Sequence, residues 1–142
     1  MRLDRVAILI KRASLKFDRI SNAVLGKFDL TTGQYKVMMY LLSEADKGVR
    51  TADLDRYHAM SHQTTIGILR NLEKKGLISY KDNPNDARSR FIVPTEKAYA
   101  EKEELLAAGD ELEEQLTQKL TEEERLQLVH LLRKLMDLEP EK

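Results

Sequence analysis

The chain has 142 residues, 34% charged and 42% apolar, with 24 basic and 24 acidic side chains and no cysteine. That size suits one domain or one subunit of an oligomer, and the missing cysteines exclude disulfides, thiolate metal sites and thiol redox sensing. No apolar run approaches the ~20 residues of a membrane span, and the opening "MRLDRVAILIKRASLKF" breaks its apolar run at Lys11 without a small-residue cleavage site, so a cytoplasmic protein with no membrane partner is expected.

The first element is an apolar stripe. Leu3, Val6, Ile10, Ala13, Phe17, Ile20 and Val24 step by three or four, which predicts one helix of about seven turns. Ile8, Leu9, Leu15, Leu25 and Phe28 lie off the stripe, giving this helix more apolar surface than one neighbour covers. Thr31 with Gln34 forms a capping box for a second helix through "YKVMMYLLSEA", stopped by Gly48. Thr51 is the expected cap of a short helix, "ADLDRYHA", and Ser61 of another that runs to Lys75 and closes at Gly76. The period then changes from 3.6 to 2. "LISYKD" and "RFIVP" read as strands joined by the polar turn "NPNDARS". After Pro94, Thr95 caps one long helix carrying Tyr99, Leu106, Gly109, Leu112 and Leu116 on one side. Thr121 with Glu124 boxes the last helix, whose leucines surround more than half of it and need a partner to bury them. A second copy of the chain is the simplest partner.

The order is a mainly α fold with a small β-hairpin: a winged helix-turn-helix flanked by N- and C-terminal helices, an arrangement that places its second helix in a DNA major groove. Charge is uneven along it. Residues 1–49 carry nine Lys/Arg against five Asp/Glu, residues 50–90 eight against five, and residues 91–142 seven against fourteen. A neutral chain can still present a basic face, and nucleic-acid binding follows the local field.

The segment 61–75 sharpens this. Thr65, Ile68, Leu69 and Leu72 fall on one helical face and predict packing against the domain. The other face holds His62, Gln63, Ile66, Gly67, Arg70, Asn71 and Lys74. Gln63 suits base edges, Arg70 and Lys74 suit phosphate or guanine, and Ile66 suits a thymine methyl. Gly67 costs a helix about 1 kcal/mol relative to alanine. A groove pressed against that face gives the bare backbone a purpose.

"LDRYHAMSHQTTIGILRNLEKKGLI" followed by "DARSRFIVPTEKA" resembles the helix-turn-helix and wing of MarR-type transcriptional regulators. The resemblance implies a single MarR-like domain over 1–142, with 1–30 and 96–142 as dimerisation helices and 31–95 as the winged helix-turn-helix. It implies a homodimer on near-palindromic double-stranded DNA, usually a repressor, in many cases released by a small phenolic or aromatic acid. Its DNA contacts fall on Ser61, His62, Gln63, Thr64, Ile66, Gly67 and Arg70, and in the wing on Asp86 and Arg88 with Arg90 beside them. Its effector pocket falls on Arg12, Lys16, Tyr35, Met39 and Tyr57. This chain departs from the family pattern at two positions. Ala87 stands where many members carry a second basic residue, which transfers minor-groove insertion to Arg88 or Arg90 or weakens it. Gly67 stands where many carry an arginine, which implies altered base preference.

His58 and His62 have a metal-compatible spacing, but a turn separates them and no acidic third ligand flanks them. The carboxylate runs "EKEE", "DELEE" and "EEE" read as solvated helix faces. No nucleophile-elbow, phosphate-loop or dinucleotide motif occurs, so no catalytic residue, metal or cofactor is expected. The competing reading is a helical protein–protein module whose winged domain binds a protein and not DNA.

Overall fold

The computed structural model describes residues 3–138; positions 1–2 and 139–142, assigned above to the dimerisation segments, lie outside the described residues. Helix α1 spans Val6–Leu25 and leads through a 3₁₀ turn, Gly26–Phe28, into α2, Thr32–Glu44. A second 3₁₀ turn, Ala45–Lys47, precedes α3, Thr51–His58, and α4, His62–Lys74. Strands β1, Ile78–Lys81, and β2, Phe91–Pro94, form the hairpin, followed by α5, Glu96–Ala100, α6, Lys102–Thr117, and α7, Glu122–Leu135.

Both predicted capping boxes form. Thr31 Oγ1 accepts the Gln34 N–H at 3.1 Å while Gln34 Oε1 accepts the Thr31 N–H at 3.2 Å, and Thr121 and Glu124 do the same at the head of α7. Three boundaries differ from expectation. Helix α1 is 20 residues, about five and a half turns, because its N-cap Arg5 is extended without a side-chain cap and Leu3 finds nothing to pack against. Thr51 is already helical. The N-cap of α3 is Arg50, whose backbone N–H is taken by the Asp53 carboxylate at 2.9 Å. The expected long helix after Thr95 is two helices. At Glu101 the backbone N–H is shared between Lys97 O and Ala98 O, a 3₁₀-type tightening that interrupts the regular ladder.

The hairpin is antiparallel, with Ile78 opposite Pro94 and Lys81 opposite Phe91. Val49 adds a bridge beside it, its carbonyl accepting the Ile92 N–H at 2.8 Å. Gly48 makes that approach feasible: its φ is +76°, and a Cβ there would meet the Phe91 ring at 2.8 Å. One core joins Val37, Met38 and Leu41 of α2 to Leu54, Leu69, Leu72, Ile78, Ile92 and Leu105, so the hairpin and α2–α4 form one packed unit. A smaller cluster packs Val24 and Leu25 of α1 on Ala108 of α6.

Among the described residues, two helix faces remain uncovered in the single chain. Helix α7 has no buried residue, and Leu126, Leu131 and Leu135 are more than half exposed. Val6, Ile8, Leu9 and Leu15 are likewise exposed along the first half of α1. Among the described residues no helix is long and apolar enough to cross a membrane.

Candidate nucleic-acid interface

The recognition helix is set by its two ends. At the head, Ser61 is extended (φ −66°, ψ 153°) and its Oγ accepts the Thr64 N–H at 3.2 Å, as expected for the cap. The turn from α3 is closed by Ala59 in the left-handed region and by the Met60 N–H on Asp55 O at 3.0 Å. At the tail, Gly76 turns at φ +74°, and Lys75 Nζ reaches back to the Asp29 carbonyl and to Gln34 Oε1 at 2.9 Å. The capping glutamine of α2 thus also fixes the end of α4. Angle and depth of α4 follow from that tie and from Thr65, Leu69 and Leu72, which are buried.

The outward face matches the sequence reading except at Ile66 and Gly67, which are both half-buried. His62, Gln63, Thr64, Arg70, Asn71 and Lys74 are exposed, as is Ser61. Ile66, expected to be exposed, is half-buried, because its position flanks the packed face. At Gly67 an added Cβ would have no neighbour within 4 Å, so nothing inside the chain requires glycine there. His62 is not free: its Nδ1 lies 3.1 Å from Asp55 Oδ2, linking α4 to α3.

In the wing the three predicted residues divide their work. Asp86 Oδ1 accepts the Arg88 backbone N–H at 3.0 Å, and the Asp86 carbonyl accepts the Ser89 N–H, so this carboxylate shapes the turn. Asn83 supports the same turn, its Oδ1 accepting the Asn85 N–H at 2.9 Å. The Arg90 guanidinium stacks over the Tyr80 ring at 4.4 Å, held to the hairpin's own surface. Arg88 is exposed at the tip with its backbone fixed.

The effector set does not converge within one chain. Arg12 and Lys16 line a shallow groove on α1 with Leu9, Ala13, Leu15 and Arg19. Tyr35 packs between α2 and α6, its hydroxyl donating to Leu105 O at 3.4 Å, and burial raises its pKa, helped by Asp110. Met39 sits at the edge of the main core. Tyr57 is exposed on α3, in ring contact with Tyr40 at 4.7 Å and His58 at 4.9 Å. His58 directs Nδ1 to Leu54 O at 3.3 Å and burial lowers its pKa, so His58 and His62 serve different partners. Among the described residues no three metal-ligating side chains gather.

Two site residues escaped the sequence reading. Tyr80 was legible in principle, because the hairpin register sets it opposite Ile92 and diagonal to Arg90. Asp55 was not, because its contact to His62 crosses an irregular turn that no periodicity describes.

Residues 19–105 match the family of transcriptional regulators SarA/Rot. Transcriptional regulator HosA of Escherichia coli O111:H- is 34% identical over 114 residues, spanning 77% of this chain and 79% of that one. The chain belongs to the MarR-type family of winged helix-turn-helix transcriptional regulators. Such proteins bind DNA and are not enzymes. MepR of Staphylococcus aureus in complex with DNA superposes with a TM-score of 0.83 at 27% identity, over 94% of this chain and 97% of that one. A mutant of E. coli MarR complexed with operator DNA gives 0.82 at 28% identity, over 92% of each chain.

Proposed function

We propose that this MarR-type regulator acts in the cytoplasm as a homodimer that represses transcription by occupying a near-palindromic operator. Residues 31–95 form its DNA-binding part, and residues 1–30 and 96–142 hold two copies together. The observation that carries the reading is the outward face of α4: exposed Gln63 and Arg70, an open Gly67 and a Ser61-capped N-terminus, beside an exposed wing arginine. Backbone N–H groups at that helix start face the phosphates, Gln63 and Arg70 reach base edges, and Arg88 enters the flanking minor groove. The apolar faces of α1 and α7 support dimerisation, since together they leave a large apolar surface uncovered in one chain. Symmetry then presents two α4 helices to successive major grooves, which makes the operator palindromic.

Release by a small aromatic or phenolic ligand belongs to the same reading. Arg12 and Lys16 would supply the cationic side, and Tyr35, Met39 and Tyr57 the apolar side, of a site completed by the partner's helices. Selection of bound sequences from random duplex DNA, followed by titration over a range of salt, tests the function. A dimer that neutralises several phosphates gives a slope of log K against log salt of roughly −4 or steeper. A flat slope on every selected duplex would favour the protein-binding alternative.

A further inference from the structure

We infer that Asp55 is a positioning residue for DNA recognition: it locks the His62 imidazole in the Nδ1–H tautomer and turns Nε2 outward as a hydrogen-bond acceptor for a base amino group. The inference rests on the reading of His62 as a DNA-facing residue and adds which atom does the reading and what sets it.

The geometry comes first. Asp55 sits on α3 and His62 is the first residue of α4, and they meet at 3.1 Å, Oδ2 to Nδ1. The His62 side chain is 67% exposed, so the ring is held at one edge and open at the other. The carboxylate itself is fixed. Its Oδ1 is sealed from solvent without a hydrogen-bond partner, so Oδ2 makes the contact to His62. Thr65 on the buried face of α4 lies beside it, with a hydroxyl that also reaches the Ser61 carbonyl at 3.3 Å. The neighbouring Thr65 hydroxyl and then His62 hold the Asp55 carboxyl below the ordinary carboxylate range.

The chemistry follows. An ionised carboxylate only accepts, so Nδ1 must be the ring nitrogen that carries the proton. In the neutral imidazole Nε2 is then an acceptor, pointing away from Asp55. On a major-groove floor, acceptors pair with the exocyclic amino groups of adenine and cytosine, whereas guanine O6 and N7 and thymine O4 want donors. Without Asp55 the ring is free to rotate and to carry its proton on Nε2, which reverses that preference. Asp55 touches no base, yet it decides what His62 can recognise.

The test joins a spectroscopic and a binding readout. In the free full-length protein, ¹⁵N chemical shifts of the imidazole report which nitrogen is protonated. The expected result is Nδ1–H at His62 in the native protein and loss of that preference in Asp55→Asn, whose amide can present a donor to Nδ1. Binding is then measured at fixed salt and at a pH where His62 is neutral by the same spectra, on a duplex selected from random DNA. Asp55→Asn and His62→Ala should each weaken binding about five- to tenfold, and the double variant no more than His62→Ala alone. Native protein should also lose affinity when the contacted A or C is replaced, a discrimination that Asp55→Asn should flatten. Additive losses in the double variant would overturn the inference, since Asp55 would then act on the fold and not through His62. So would an Nε2–H tautomer in the native protein. If His62→Ala binds as native does, the DNA-facing reading of His62 is what fails, whereas a loss in His62→Ala with none in Asp55→Asn defeats the positioning role alone.

Discussion

The phenol of Tyr35 occupies the space where a side chain at Gly109 would stand: a Cβ at position 109 would collide with the Tyr35 oxygen. Glycine inside α6 is therefore the condition for Tyr35 to cross from α2 and reach the Leu105 carbonyl. This contact ties the DNA-binding part to the helices proposed to dimerise. Gly109→Ala should destabilise the protein, although alanine is intrinsically the better helix former by about 1 kcal/mol. Tyr35→Phe removes the colliding atom, leaving the next at 3.6 Å, an ordinary contact. In that background Gly109→Ala should stabilise instead, and denaturant unfolding of the four proteins reads the change of sign.

Ser61→Ala should cost about 1 kcal/mol of stability through loss of the cap. The Thr64 N–H that Ser61 Oγ now accepts would turn to water, since both residues are exposed. An unchanged unfolding midpoint would place the start of α4 elsewhere.

Association should govern stability. Leu131 is 59% exposed in the single chain, on a helix with no buried residue. The thermal midpoint should rise with protein concentration, and Leu131→Lys should shift sedimentation toward monomer while lowering that midpoint. A folded monomer of the native chain at micromolar concentration would contradict this.

The wing arginines should differ. Arg88, exposed at a tip fixed by Asp86, should lose affinity mainly on duplexes with A·T-rich flanks when changed to alanine. Arg90 lies on Tyr80, so Arg90→Ala should cost hairpin stability as well as affinity, and Tyr80→Leu should reproduce part of the loss. Equal flank dependence for both arginines would mean that both enter the groove.

Local rules made much of this molecule legible. Capping chemistry placed the heads of α2, α4 and α7, and the change of period placed the hairpin, because each depends on residues within four of one another. The misplaced features depend on contacts from farther away. Leu3 continues the apolar stripe of α1 but has no surface to pack on, so the helix starts later. Thr51 has a capping side chain, yet the Arg50–Asp53 bond sets the boundary one residue earlier. Asp55 shows no pattern in the sequence, and only the turn between α3 and α4 brings it to His62. The effector residues, placed by resemblance alone, lie on separate elements of one chain that no local pattern brings together.

The central claim is that the open face of α4 meets the groove floor at Gly67. Since a methyl group there meets no neighbour within 4 Å, Gly67→Ala should raise stability of the free protein by about 1 kcal/mol. The deciding measurement is operator affinity of that same variant, on a selected duplex at one fixed salt concentration. The account predicts weaker binding than the native protein shows, with Gly67→Leu weaker still and the dimer intact in both. Native affinity in Gly67→Leu would contradict it, because the docking depth of α4 would then not depend on a bare backbone at that position.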